Sequence, residues 1–163
     1  MSVILINPPI ISSKNHYEAL TPPMGIAYLA AYLREQKIDV SVIDAPGEKP
    51  QNITYFNDQA YLRGMNLEQI VAAIPEEAKL IGISNLFSVA YPVVSKLCWL
   101  IRNKMPDVTI VLGGPHPSNY ARECLMELPI NFVVHGEGEL ALEQLYRFAQ
   151  GEIASSELFG VSF

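Results

Sequence analysis

Three short stretches carry the residue types from which a binding site is made: Ser84-Asn85-Leu86, Gly113-Gly114-Pro115-His116 and Gly136-Glu137-Gly138-Glu139. The first two follow directly on runs of apolar, mostly β-branched residues, and the third is separated from such a run by His135 alone. The paired glycines are the sharpest of the three, because two consecutive residues without side chains serve either a turn that needs positive φ or the close approach of something flat or bulky. Ser84 can cap a turn or touch a ligand. Glu137 and Glu139 suit the N-terminal dipole of a helix. Reactive constellations are missing. His16, His116 and His135 are the only histidines and none has a second ligand at metal spacing. Cys98 and Cys124 have no Cys or His at ligand spacing either. There is no nucleophile elbow, no P-loop and no convincing pair of catalytic carboxylates. Alone, the chain is poorly equipped for chemistry of its own and better equipped to hold a ligand.

Composition narrows what that ligand can be. Of 163 residues, 50% are hydrophobic and 17% charged, which describes one globular domain with a well-buried core. The net charge is −6 and the eleven Lys and Arg residues are scattered, which excludes nucleic acid as the principal partner. The start, MSVILINPPII, is apolar but has no positive leader or cleavage site and meets an early Pro-Pro pair, so it reads as neither a signal peptide nor a membrane span. The two cysteines read as reduced, buried thiols of a cytoplasmic protein.

The elements that must position these stretches follow from periodicity. Val3–Ile6, Val40–Ile43, Leu80–Ser84, Val108–Leu112 and Asn131–Val134 read as strands. Helices are expected around Ile26, Leu29, Ala30 and Leu33, over Val93–Met105, Pro117–Leu128 and Gly138–Ala149, and after Asn66, an N-cap with Gln69 three residues on. Cys98 falls with Val94 and Ile101, and Cys124 with Ala121 and Leu128, so both thiols should face the core. The stretch from Ala45 to Met65 reads as a long loop, either functional or mobile. Repeated strand-then-helix units make a five-stranded parallel sheet covered on both faces, since right-handed crossovers return the chain parallel to itself. In such sheets ligands bind beyond the carboxyl ends of the strands.

The loop after the first strand, NPPIISSKNHYEALTPPMG, lacks the G-x-G-x-x-G of a dinucleotide fold. This weakens a nicotinamide reading, although Asp44 ends the second strand where a ribose-binding acid would sit. The acidic pair, Asp and Lys of a receiver domain are absent too: Asn7, Asn85 and His135 occupy those positions. Ser12 and Ser13 are left as a phosphate loop for FMN or another phosphorylated ligand, the alternative reading.

Together, LINPP, PPMGIAYLAAYLREQKIDVSVIDA, GISN, VLGGPHPS and FVVHGEGE closely resemble the N-terminal cobalamin-binding domain of B12-dependent radical SAM proteins. That group includes methyltransferases and the anaerobic magnesium-protoporphyrin monomethyl ester cyclases. The resemblance runs from Val3 to about Phe163. It implies an α/β, three-layer, flavodoxin-like (Rossmann-like) fold with strand order 2-1-3-4-5, the corrin over the carboxyl ends of the strands and the nucleotide tail running down into the sheet edge. Ser84 and Leu86 match the Ser-x-Leu motif of cobalamin domains of the methionine synthase type, and Gly113 and Gly114 match their Gly-Gly. The cofactor-binding set implied is Asn7, Pro8, Pro9, Gly25, Ser84, Asn85, Leu86, Gly113, Gly114, His116, Gly136 and Glu137.

Two departures matter. Asn7-Pro8-Pro9 stands where Asp-x-His would be, so no histidine matches the cobalt-binding position, and neither His16 nor His116 replaces it. Cys98 and Cys124 cannot form the C-x-x-x-C-x-x-C run that holds a [4Fe-4S] cluster open to S-adenosylmethionine. The cluster and S-adenosylmethionine are therefore expected in a radical SAM domain of the same polypeptide after residue 163, with residues 1–163 as one cobalamin-binding domain and no catalytic residue in it. The resemblance thus implies metal binding through the cofactors, and methyl transfer or oxidative cyclisation as the parent reaction.

Overall fold

The computed structural model describes residues 2–12 and 19–163. β1 (Ser2–Asn7) is followed, after two prolines, by the short β2 (Ile10–Ser12), α1 (Met24–Glu35) and β3 (Val40–Asp44). A short α2 (Ala45–Glu48) leads to β4 (Ile53–Asn57) and β5 (Ala60–Arg63). Then come α3 (Leu67–Ala73), β6 (Ala78–Ser84), α4 (Tyr91–Lys104), β7 (Thr109–Gly113), α5 (Pro115–Asn119) and α6 (Ala121–Glu127). β8 (Phe132–Val134), α7 (Glu139–Ala149) and β9 (Val161–Ser162) complete the order.

The main sheet runs β3-β1-β6-β7-β8-β9. Its first five strands are parallel and take the expected order, 2-1-3-4-5. The expectation of five strands is corrected by β9, which pairs antiparallel with β8 through Val133↔Ser162 and Val134↔Val161. Two residues are too few for any periodicity to register. What holds them is distant in sequence: the His135 amide donates to the Gly160 carbonyl at 2.8 Å, and His135 Nε2 and Ser162 Oγ lie 2.7 Å apart.

Alternation divides the strand side chains between two buried layers. Val3, Leu5, Leu80 and Val111 meet α1 and α7, whereas Ile4, Ile6, Ile81, Ile83 and Leu112 meet α3, α4 and α6. Asn66 caps α3 as expected: its side chain accepts from the Gln69 amide at 2.8 Å and the Gln69 side chain accepts from the Asn66 amide at 3.0 Å. Both cysteines are fully buried, as their helix faces required.

Two further expectations are corrected. The stretch from Ala45 to Met65 is no structureless loop. Its β4 and β5 form an antiparallel hairpin that β2 extends into a second sheet, β2-β5-β4. Leu62 faces the core while Ile53 and Tyr55 stand outward, so one face alone had apolar reason to order. The helix expected over Pro117–Leu128 starts at Pro115 and breaks at Tyr120, whose φ of −127° and ψ of 39° are not helical. Among the described residues, no helix is long and apolar enough to cross a membrane.

Candidate functional site

A cleft opens where β6, β7 and β8 end, between the sheet and the helices α1 and α7. Its floor is Leu5, Gly82 and Val111 from the strands, Ile26 and Leu29 from α1, and Leu142 from α7. Its mouth is Gly25, Ser84, Leu86, Gly113, Gly114 and the run from Gly136 to Glu139. Its volume is about 170 Å³. A single water needs only ~10–15 Å³ on that measure, so the space suits an organic ring.

The flanking helices are tied to each other. Glu143 of α7, only 8% exposed, accepts from the Tyr32 hydroxyl of α1 at 2.6 Å and from Arg147 Nη2 at 2.7 Å. The hydrogen bond to Glu143, then burial, holds the Tyr32 phenol above its ordinary pKa. With α1 and α7 held this way, the width of the cleft is set before any ligand arrives.

The two glycines of the β7 turn do different work. A Cβ on Gly114 would lie 2.7 Å from the Asn85 carbonyl oxygen, and Gly114 has φ +109°. That position is glycine for the turn itself. A Cβ on Gly113 would meet nothing within 4 Å. Alternation from Val111 puts it on the cleft side, so its missing side chain leaves cleft volume open. Gly25 and Gly136 likewise border open space.

Of the residues expected from sequence, Gly25, Ser84, Leu86, Gly113, Gly114, Gly136 and Glu137 come together in this cleft. The others do not line it. Asn7 donates through Nδ2 to Asp44 Oδ1 at 2.8 Å, tying the ends of β1 and β3. Pro8 and Pro9 connect β1 to β2, with Pro9 buried. Asn85 is fully buried and its carboxamide has no hydrogen-bond partner among the described residues. His116 packs against Tyr91 and Tyr120, ring centroids 4.7 and 5.0 Å away, with Nδ1 at 2.9 Å from Ser88 Oγ. Ser12 belongs to β2, paired with Tyr61, and Ser13 and His16 lie outside the described residues. Sequence reading missed Gly82 as a floor residue. A glycine inside a buried strand marks close approach, and here Leu5 Cδ2 would stand 2.9 Å from its Cβ.

The chemistry available is that of binding. Among the described residues, Ser84, Glu137 and Glu139 are the polar side chains of the lining, and no Lys, Arg or His joins them. Among the described residues, no cluster of His, Cys, Asp or Glu is placed to hold a metal ion. An apolar floor with open volume over Gly113 fits an uncharged aromatic group.

Known proteins are similar to this chain in sequence and in fold. The chain is 27% identical, over 99% of its length, to the cytidylyl-2-hydroxyethylphosphonate methyltransferase of Streptomyces wedmorensis, and 28% identical, over its whole length, to the anaerobic magnesium-protoporphyrin IX monomethyl ester cyclase of Synechocystis sp.. It spans only 31% and 30% of those two proteins. Among solved structures it superposes on the cobalamin-dependent S-adenosylmethionine radical enzyme OxsB, with aqua-cobalamin and S-adenosylmethionine bound, at a TM-score of 0.70 and 22% identity, covering 99% of this chain and 20% of that one. It superposes on the radical S-adenosylmethionine methyltransferase TsrM from Kitasatospora setae, with cobalamin and a [4Fe-4S] cluster bound, at 0.71 and 18% identity, covering 98% and 28%. These likenesses establish the shared fold. The B12 binding domain family model matches residues 14–146, most of the chain, and the protein therefore belongs to the family of B12-binding domains, whose cofactor is cobalamin.

Proposed function

We propose that this domain holds cobalamin with its nucleotide tail in the cleft and presents the corrin to a radical SAM domain of the same polypeptide, beyond residue 163, in the cytoplasm. The observation that carries the reading is the open volume over Gly113 at the carboxyl edge of β7, above an apolar floor. The residues that would hold the cofactor are Ser84, Leu86, Gly113, Gly136 and Glu137 at the mouth. Bound cobalamin would supply a cobalt centre able to carry a methyl group, and the cluster and S-adenosylmethionine would belong to the partner domain. This chain's own part is to bind, orient and exclude water. The floor side chains remove apolar ligand surface from solvent, and the Tyr32–Glu143–Arg147 contacts keep the cleft open at one width. Methylation and oxidative cyclisation are both compatible with that part, as the named relatives illustrate.

An FMN module is the weaker reading: among the described residues, the charged side chains that line the cleft are Glu137 and Glu139, which would repel a phosphate. Titration with hydroxocobalamin, followed by its visible spectrum, should give saturable binding and raise the unfolding temperature. FMN should do neither. No spectral change and no thermal shift at high micromolar hydroxocobalamin would sink the proposal. A C-x-x-x-C-x-x-C run encoded downstream of Phe163 tests the partner domain separately.

A further inference from the structure

Among the described residues, the side chains that line the cleft are polar only at its mouth. Its floor residues, Leu5, Ile26, Leu29, Gly82, Val111 and Leu142, offer no polar side-chain atom. Their backbone groups are also committed, except the Ile26 amide in the first turn of α1. Leu5 pairs with Val42 and Gly82, and Gly82 pairs with Val111, in the parallel ladders. Ile26 and Leu29 lie within α1, and Leu142 within α7.

Resting on the reading above, that a corrinoid places its tail here, we infer that the cleft selects among corrinoids by the base of that tail, taking an apolar benzimidazole and disfavouring a purine. The reason is desolvation. Adenine carries an exocyclic amine and several ring nitrogens that are hydrogen-bonded in water; the amine would find no side-chain acceptor on this floor, and the nitrogens no side-chain donor. Burying such groups unpaired is penalised far more than one methyl group is rewarded. Dimethylbenzimidazole presents methyl groups on that edge instead, and these gain from contact with leucine, isoleucine and valine. The mouth fits the next part of the tail, since Glu137, Glu139 and Ser84 can accept from ribose hydroxyls.

The test compares three ligands on the protein by visible-spectrum titration: hydroxocobalamin, its analogue with adenine as lower base, and cobinamide, which has no base. Benzimidazole grips cobalt more firmly than adenine in free solution, so a preference for cobalamin is measured against that handicap. The expected result is binding of cobalamin at least about tenfold tighter than the adenine analogue, with the analogue close to cobinamide. A second arm uses Gly113→Val, whose Cβ enters open space, so the fold is kept as judged by thermal melting. It should bring cobalamin down to the cobinamide level and leave cobinamide unchanged; if the valine variant melts early, Gly113→Ala takes its place. Adenine analogue as tight as cobalamin, cobinamide as tight as cobalamin, or a variant that weakens both equally would each overturn the inference while leaving cobalamin binding intact. Failure of all three ligands to bind would overturn the cobalamin reading itself, and this inference with it.

Discussion

Gly114 rests on the backbone of Asn85: a Cβ at position 114 would stand 2.7 Å from the Asn85 carbonyl oxygen, and the Asn85 amide in turn donates to the Gly113 carbonyl at 2.8 Å. The contact locks the end of β6 to the turn after β7, and so builds the crest on which the cleft opens. It also separates two glycines that look equivalent in sequence.

That separation is measurable as stability. Gly114→Ala combines a backbone clash with φ +109° and ψ 174°, a region only glycine enters readily, and should destabilise by about 2–4 kcal/mol. Gly113→Ala should change the unfolding free energy by less than about 1 kcal/mol, because nothing lies within 4 Å of the added carbon. Chemical denaturation of the two variants side by side decides it. Equal losses would mean that both glycines serve the turn.

Asn85 itself is an apparent stability defect. Its carboxamide is buried without a partner among the described residues, and replacing an unpartnered polar group with an apolar one of similar shape removes a desolvation penalty. Asn85→Leu should therefore leave thermal stability equal or raise it by about 1 kcal/mol. A marked fall in the melting temperature would show that the amide is bonded in solution.

Arg102 carries the opposite edge of the sheet. Its guanidinium donates to the carbonyls of Pro106 and Val108 at 2.6 and 2.7 Å, to Pro129 at 3.1 Å and to Asn131 Oδ1 at 2.8 Å. Asn131 Oδ1 also accepts from the Ile110 amide at 2.9 Å, so one side chain joins the starts of β7 and β8. Arg102→Ala should cost about 2–4 kcal/mol by denaturant titration. Arg102→Lys should recover little, because an ammonium cannot span this fork of acceptors.

Alkali should weaken the fold. Burial pushes the Cys98 thiol up from its ordinary value of 9.0 to about 12, with the nearby Cys124 adding to the shift. Burial likewise raises Cys124, and burial, then the hydrogen bond to Glu127, raises Tyr91. Between pH 9 and about 12 the unfolded chain releases the Cys98 proton while the folded chain keeps it. The folded state binds more protons in that window, so stability is full below pH 9 and declines as pH rises, by at most about 1.4 kcal/mol per unit for this group. Cys98→Ala should flatten that slope in urea titrations at pH 8, 9 and 10. In the unmodified protein, Cys98 should react with iodoacetamide only after unfolding.

What local sequence determined is what local chemistry can enforce. Continuous apolar runs, buried from both sides, marked the five parallel strands. The helical spacing of Ile26, Ala30 and Leu33, and the reciprocal bonds of Asn66 and Gln69, depend on residues three to four apart and were readable for that reason. So was the concentration of glycines and small polar residues at the carboxyl ends of β6, β7 and β8. Tertiary structure alone decided the rest. β9 exists because β8 offers it an edge, and the β4–β5 hairpin exists because Leu62 finds the core. Which glycine clears space and which serves the turn depends on Asn85, far off in sequence. His116, prominent between its prolines, is drawn out of the cleft by Tyr91, Tyr120 and Ser88. Residue types state what a position can do. The partners that folding brings within a few ångströms decide what it does.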